Sequence, residues 1–391
     1  MFAVVQLFLK LVFWASVSLI AYTYLVYPLL MWVAARFAPS RRPVTPAESY
    51  PAVSMIIAAY NEEEVIEEKI RNCLALRYPA EKLEVLIGSD GSSDRTVELA
   101  SRFSENRRVV VHAYSRRGKV WVVNDLVQVA RGDVLVFSDA NTIYAPEALE
   151  RLVDRLRETS VGCVTGLLCL RKKGDHVGAS GESFYWKYET FKKRQEQAFL
   201  AVAGANGAIY ALRRELFEPL SGKTINDDFT ISMRVYLKGY RIALAEDARA
   251  YEYTASDFRG EFNRHVRDSA GHYRAMLELA GMLNPLLGMP SFCYLSHRVV
   301  RWITPFLMIA ALAASGLLAS DAVYSWLFAL QVTAYVCVAA VSPHVMRGGK
   351  IGVLFVPYYF VTINAAILIG FVKFCMGTQT SLWRPAERRG E

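Results

Sequence analysis

Hydrophobic positions along this chain follow two different patterns. Runs free of Asp, Glu, Lys and Arg extend from Leu11 to Ala35, Trp302 to Ser320, Ala322 to Met346 and Ile351 to Val372. Each is close to the roughly 20 apolar residues a helix needs to cross a bilayer, so the pattern predicts four transmembrane helices. From Pro51 onward, short β-rich runs alternate with helical stretches instead. The strand-like runs are Val53 to Ala59, Leu83 to Ser89, Val109 to Ala113, Val134 to Asp139 and Val161 to Thr165. Helices are predicted over Glu62 to Ala75, Thr96 to Ser104, Lys119 to Ala130 and Pro146 to Leu156. Such alternation implies an α/β domain, Rossmann-like, with a mainly parallel sheet that binds ligands at the carboxyl ends of its strands, plus α-helical transmembrane segments.

The first run is too long, and too aromatic near Tyr22, Tyr24 and Tyr27, for the core of a cleaved signal, and reads as an anchor. Ser40 to Ala47, with Pro43 and Pro46, reads as a linker. From Arg259 to Gly281, Phe262, Val266, Tyr273, Met276 and Leu277 are interspersed with Arg264, Arg267 and Arg274, which predicts a helix on the membrane beneath the site. The expected organisation is an anchor over 1–35, a cytosolic catalytic domain over 36–258, amphipathic interfacial helices over 259–301, three transmembrane helices over 302–376 and a tail over 377–391. Arg36, Arg41 and Arg42, then Arg298 and Arg301, then Arg347 and Lys350 flank the spans and place those flanks in the cytosol. Arg384, Arg388 and Arg389 conflict with four crossings, so either the tail is an exception or one span is miscounted.

Composition changes this picture little. A formal charge of +8 suits a protein that lies on anionic lipid and handles a diphosphate, and equally suits an ordinary soluble surface with topogenic arginines. Cys73, Cys163, Cys169, Cys293, Cys337 and Cys375 show no CxxC or His-linked spacing and read as reduced thiols. No GxGxxG follows a strand and no GxxxxGK[ST] occurs, which argues against a dinucleotide or P-loop enzyme. The apolar runs hold essentially no charge of the kind that marks a transport path.

Candidate chemistry gathers at the predicted strand ends. AAYNE at Ala58 to Glu62, SDGSSD at Ser89 to Asp94, RRGK at Arg116 to Lys119, FSDANT at Phe137 to Thr142 and INDDF at Ile225 to Phe229 follow in order. Lys119 follows a glycine at a helix start, where a cation and the helix N-terminus together favour a diphosphate. Asp94 reads as a cap for the helix from Thr96, and Asp227 and Asp228 are open to a similar capping role before Phe229 to Leu237.

These motifs, over about Val53 to Gly271, resemble glycosyltransferase family 2, the inverting GT-A enzymes that include cellulose, hyaluronan and chitin synthases. A weaker echo follows in SHRVVRW at Ser296 to Trp302. The resemblance implies a donor site of Ala59, Tyr60, Asn61, Glu62, Asp90, Lys119, Asp139, Ala140 and Arg267, with Asp90 accepting a hydrogen bond from a uracil ring. It implies that Asp139, with Asn141 in place of a second acid, holds Mg²⁺ or Mn²⁺ against the donor phosphates, since hard ions accept one carboxylate plus phosphate and water oxygens. Asp228 falls on the general base and Asp227 beside it orients it. Gly204, Ala205, Asn206 and Gly207 match a small-residue segment that lets sugars approach the backbone, and Arg264 joins Gly204 and Asn206 on the acceptor side. The processive Q-x-x-R-W signature falls on Arg264, His265, Val266, Arg267 and Asp268; only the arginine is kept, and Asp268 cannot stack on a sugar. His265 and His272 read as surface-helix residues.

The expectation is therefore an inverting glycosyltransferase that moves sugar from a nucleotide-sugar, a UDP-sugar, to a lipid-linked or cell-surface saccharide, one or a few sugars at a time. Its partners are donor, acceptor and membrane, not nucleic acid, and its place is the bacterial cytoplasmic membrane. A processive synthase that extrudes its polymer is the alternative, and a nucleotide-binding receptor or transporter without turnover the remote one.

Overall fold

The structure, a computed structural model, describes residues 1–39, 49–171, 177–253, 258–349, 351–380 and 382. The Ser40 to Ala47 linker, Arg41, Arg42, Lys350 and the tail arginines lie outside the described residues. Eight strands form one sheet: β1 (Val53–Ala59), β2 (Leu83–Asp90), β3 (Val109–Tyr114), β4 (Val134–Phe137), β5 (Ile143–Tyr144), β6 (Val161–Arg171), β7 (Tyr210–Arg213) and β8 (Arg241–Tyr253), in the order β3-β2-β1-β4-β7-β6-β8-β5. The sheet is mainly parallel, six of its eight strands running one way with β7 and β5 opposed. β3, β2, β1 and β4 run parallel, β7 enters antiparallel between β4 and β6, and β8 pairs in parallel with β6.

Helices α1 (Phe2–Ala21), α2 (Tyr27–Arg36), α3 (Ile66–Leu74), α4 (Thr96–Ser101), α5 (Lys119–Val129), α6 (Ala148–Leu156), α7 (Val177–Gln197), α8 (Asp227–Leu237), α9 (Phe258–Glu278), α10 (Met289–Cys293), α11 (Val300–Leu317), α12 (Ala322–Met346) and α13 (Phe355–Met376) complete the chain. β1 reads as an unbroken apolar run because both its faces are covered. Val53, Met55, Ile57 and Ala59 pack under α3 and α6 with Ile66, Ile70, Leu149 and Leu152. Ile56 and Ala58 face the opposite layer, where Val122 and Leu126 of α5 meet Ile231 and Val235 of α8. Each fully buried Ile or Met contributes roughly 1.5–3 kcal/mol. Tyr294, Trp302 and Ile367 belong to this second layer, so the domain core runs without a break into the apolar helices.

Among the described residues, four helices are long and apolar enough to cross a membrane: Phe2–Arg36, Met289–Leu317, Ala322–Met346 and Phe355–Met376. The second begins at Met289, well before Trp302, because a π turn at Tyr294–Val299 carries His297 and Arg298 through the helix. Their charges point into the α/β domain instead of ending the span. Helix α12 keeps Trp326 at 79% exposure, an apolar surface suited to lipid. The predicted interfacial helix is α9, and it is clasped by α13: Tyr359 donates to Glu261 at 3.0 Å and the Tyr273 and Phe371 rings meet at 5.0 Å.

Candidate active site

Loops at the carboxyl ends of the parallel strands converge with the start of α8. β2 delivers Asp90, which is fully buried. Its Oδ1 accepts the Arg117 and Gly118 N–H groups at 2.7 and 2.9 Å, and Arg116 Nη1 stands at 3.5 Å. Gly91 has φ +68, and a Cβ there would lie 2.7 Å from the Arg116 nitrogen, so glycine is what lets the two loops touch. Charge-assisted bonds of this kind are about twice as strong as neutral ones, and Asp90 thereby fixes the loop that opens α5. Its oxygens face protein amides, and a donor base could use them only by sharing. Tyr60 forms the rim beside it, with the Arg116 guanidinium 3.1 Å above its ring.

The AYNE loop is laced to the SDGSSD loop. Asn61, at φ +53, donates its N–H to Ser92 Oγ at 3.1 Å and accepts the Ser93 N–H at 2.9 Å. The Glu62 N–H donates to Thr96 Oγ1 at 2.7 Å, and Asp94 accepts the Thr96 N–H at 2.9 Å as a cap does. Ala59 and Ala140 are buried and offer backbone only.

The acids meet around Lys119, the first residue of α5. Its ammonium lies 3.0 Å from Asp139 Oδ1 and 3.3 Å from Asp227 Oδ2. Asp227 and Asp228 occupy the first turn of α8, where the helix dipole favours negative charge. Asp228 Oδ1 accepts the Phe229 N–H and its Oδ2 the Gly207 N–H, each at 2.7 Å. A methyl on Gly207 would lie 3.2 Å from Asp228 Oδ2 and 3.6 Å from Asp139 Oδ2. The missing side chain leaves a cradle between two carboxylates. Burial, then the neighbouring Asp227 carboxylate, pushes the Asp228 carboxyl up to about 6. Burial works against the Lys119 charge, but Asp139, Asp227 and Asp228 outweigh it and hold the ammonium well above the usual lysine range.

The model of a family described as "Glycosyltransferase like family 2" matches residues 51–271, more than half of the chain. The chain belongs to this family. Its relatives include a poly-beta-1,6-N-acetyl-D-glucosamine synthase of Staphylococcus aureus, 27% identical over 62% of this chain and 60% of that protein. A probable glycosyltransferase, YdaM, of Bacillus subtilis is 25% identical over 58% of this chain and 57% of its own. The chain thus matches about 60% of the length of the curated relatives. Among solved structures, a mannosyltransferase of Pyrobaculum calidifontis in complex with GDP-Man and Mn²⁺ superposes with a TM-score of 0.66 at 21% identity, covering 94% of this chain and 99% of that one. The fold is a GT-A-like glycosyltransferase domain with appended apolar helices.

In this glycosyltransferase a divalent ion fits beside Asp139, in the cradle left by Gly207. Among the described residues no three His, Cys, Asp or Glu side chains gather as a ligand set, so an ion held beside Asp139 would have to complete its shell with donor phosphates and water. Asn141 is turned elsewhere, its amide donating to Glu252 at 2.9 Å. Arg267 pairs with Asp268 at 3.0 Å on α9 rather than with the acids around Lys119. Arg264 stands on the same helix, one turn earlier, and helps hold the Asp268 carboxyl low; burial opposes this, but Arg267 and then Arg264 prevail. Asp268 also accepts, through its backbone carbonyl, the Asn226 amide at 3.0 Å just ahead of Asp227.

Gly204, Ala205, Asn206 and Gly207 run along the other side of the acids. The Ala205 N–H donates to Ser232 at 2.9 Å and the Asn206 N–H to Thr165 at 3.1 Å. Ala203, one residue earlier, is gripped from the apolar helices: its carbonyl accepts Arg298 Nη2 at 2.7 Å and its N–H donates to Glu196 at 2.9 Å. Two supports escaped the sequence. Lys69, fully buried on α3, donates to Ser138 Oγ and to the Thr142 carbonyl, each at 2.6 Å, and so holds the turn that carries Asp139. Glu196 and Arg298 hold Ala203, just ahead of the Gly204 to Gly207 segment. Signals for both were present: Lys69 stands among Ile66, Ile70 and Cys73 on an apolar helix face, and Arg298 lies in SHRVVRW.

Proposed function

We propose that this glycosyltransferase takes sugar from a nucleotide-sugar at the carboxyl edge of its sheet, on the cytosolic side of a bacterial cytoplasmic membrane, and passes it with inversion to a lipid-linked or saccharide acceptor. What carries the reading is the cluster in which Lys119 pairs with Asp139 and Asp227 while Asp228, next on α8, stands with Asp139 beside Gly207. The acceptor hydroxyl attacks the anomeric carbon, the bond to the diphosphate oxygen breaks with its electron pair, and the hydroxyl proton passes to Asp228. A carboxylate whose proton affinity is raised by burial is a stronger base than a solvated one. Lys119, released from Asp139 or Asp227, is placed to neutralise the departing diphosphate. Mg²⁺ or Mn²⁺ beside Asp139 would supply further countercharge to the donor phosphates. Donor and acceptor enter from opposite sides of the Asp139–Asp228 gap: the AYNE and RRGK loops on one, Gly204 to Gly207 on the other.

The test is nucleotide release by the full-length protein in lipid nanodiscs, screened over UDP- and GDP-sugars with Mg²⁺ or Mn²⁺ and bacterial lipid extract. Release that requires extract, and vanishes in Asp228→Asn, is expected. Nucleotide binding without release from any sugar would leave only a binding module. A second reading, polymer synthesis, is favoured by the name of the Staphylococcus aureus relative. It is opposed by Asp268, which offers no aromatic face where a synthase stacks its acceptor.

A further inference from the structure

Resting on that reading, we infer that the cleft between α7, β6 and Asn206 is a subsite for the phosphate group of a lipid-linked acceptor, gripped by Lys193. The cleft is narrow and partly open to solvent. Leu167, Leu168, Trp186, Thr190, Lys193 and Asn206 stand on its walls.

Lys193 is the decisive residue. It is 8% exposed, it lines the cleft, and among the described residues it makes no hydrogen bond or ion pair. Burial without a paired anion is costly for an ammonium, and an anionic group entering the cleft would offset that cost. Burial, reinforced by Arg298, brings the Lys193 ammonium down to about 8, which leaves it mostly charged at neutral pH.

The carboxylates that act on Lys193 are Glu189, Glu196 and, more weakly, Asp228. Glu189 is shared by Lys192 at 2.8 Å, His297 at 3.0 Å, Arg298 at 3.3 Å and Arg301. Glu196 is taken by His297 Nδ1 at 2.6 Å, the Tyr27 hydroxyl at 2.8 Å and the Ala203 N–H. Lys192, Lys193, Arg298 and Arg301 thus face Glu189 and Glu196, with Asp228 acting on Lys193 more weakly, and the surplus among these described groups is positive.

Position selects the ligand's source. On one side the cleft borders Asn206, whose neighbour Gly207 holds Asp228, so a group there lies next to the proposed base. On the other side α7 is fastened to the apolar helices. Tyr188 donates to the Tyr24 carbonyl at 2.8 Å, and Glu196 and Glu189 clasp His297. An anion held between the base and the membrane spans suits an acceptor with phosphate on a hydrocarbon chain, and the Trp186 ring adds an apolar wall. The phosphate is held and not attacked: its ester bonds persist, and the sugar hydroxyl beyond it gives its proton to Asp228.

Calorimetric titration of the full-length protein in uncharged detergent separates the possible sources, with farnesyl phosphate, farnesol, inorganic phosphate and phosphatidylglycerol as probes. Farnesyl phosphate should bind at least tenfold more tightly than each of the other three, Lys193→Gln should lose at least tenfold of that affinity, and Lys193→Arg should restore most of it. Inorganic phosphate binding equally well would make this a free-anion site, phosphatidylglycerol binding equally well a general lipid contact, and either overturns the inference. Unchanged affinity in Lys193→Gln overturns it as well. Lys193→Met should unfold at the same or a higher temperature than wild type; a lower midpoint, with unaltered farnesyl phosphate binding, would make Lys193 structural and overturn the assignment. Nucleotide release is read in parallel. Lys193-dependent binding with no release from any nucleotide-sugar refutes the transferase reading alone, whereas release with Lys193-independent binding refutes only the subsite.

Discussion

Replacing Lys69 by methionine isolates the support behind Asp139. Methionine fills nearly the same volume but cannot donate, so the perturbation removes two 2.6 Å charge-assisted bonds, to Ser138 Oγ and the Thr142 carbonyl. Such bonds are worth about 1.5–3 kcal/mol each, or about 3–6 kcal/mol together. Against this, the lysine is fully buried with no carboxylate in contact, and relief of an unpaired buried charge returns several kcal/mol. Ser138 also keeps its bonds to Thr142 Oγ1 at 3.0 Å and the Ala208 carbonyl at 3.3 Å. The net loss should therefore be small, about 1–3 kcal/mol, while the turn carrying Asp139 loses its anchor. A displacement near 1 Å at a reacting site costs about 10²-fold in rate.

The assay is nucleotide release by wild type and Lys69→Met at matched metal and donor, alongside thermal unfolding as a function of pH. The sign of the pH effect is fixed. Burial above all lowers the Lys69 pKa, and the nearby Cys73 and Asp139 only partly offset it. The unfolded chain then binds more protons than the native one between the lowered value and the ordinary lysine value, so wild-type stability gains as pH rises through that window. The methionine variant lacks this gain, and its deficit should widen toward alkaline pH. A kcat/KM within threefold of wild type would refute the idea that Lys69 positions Asp139, and a deficit that narrows with rising pH would refute a Lys69 pKa lowered by burial.

Three further outcomes are expected. Asp228→Asn should retain donor binding and lose about 10²–10⁴-fold in transfer, and wild-type activity should fall as pH drops through about 6, because only the deprotonated carboxyl accepts a proton; a flat profile from pH 5 to 8 would remove Asp228 from that role. Asp139→Ala should weaken nucleotide binding when Mg²⁺ or Mn²⁺ is present and leave it unchanged in chelator, as titration under both conditions will tell. Products should carry few added sugars, since Asp268 has no ring on which a growing chain can stack; mass analysis that finds long polymer would contradict this.

Segments whose local physics was sufficient were legible. β1 spans the seven residues that its apolar run predicts, because a strand buried on both faces needs no partner to be recognised. β8 was invisible, because Glu246 and Asp247 interrupt its apolar alternation and its partner β6 lies some 80 positions earlier in register. β5, with two residues, and β7, with four, are too short to show a period. Helix α3 starts at Ile66 rather than Glu62 because the Glu62 N–H is taken by Thr96 and Asn61 turns left-handed. In the site, Lys119, Asp139, Asp227 and Asp228 come together, each at a strand end or helix start that the pattern located. Asn141 and Arg267 face elsewhere, and Glu252 and Asp268, which hold them, are matters of tertiary packing. Asp90 stands where expected, but its burial turns its carboxylate to the Arg116–Gly118 loop, and no reading of a turn motif could disclose that.

The apolar helices do more than tether the domain. Polar and charged groups are expensive inside a protein core, so a cluster such as Tyr27, Glu189, Lys192, Glu196, His297, Arg298 and Arg301 does not add stability over well-packed apolar residues. What such a cluster does provide is register, since its bonds are satisfied in one arrangement only. Tyr27 comes from the first apolar helix, Arg298 from the second, and both lead to Ala203: one through Glu196 to its N–H, the other directly to its carbonyl. Ala203 adjoins the segment whose Gly207 holds Asp228. On the far side Phe229 packs its ring 5.7 Å from Trp302, and Tyr273 of α9 donates to the Trp302 carbonyl at 2.7 Å. The proposed base is thus located from two sides by residues of the apolar helices, whereas Asp90 and the AYNE loop are located by the α/β sheet alone. On the proposed function, a site divided in this way keeps its donor half indifferent to the bilayer and its acceptor half in fixed register with it, as transfer to a membrane-bound acceptor would demand.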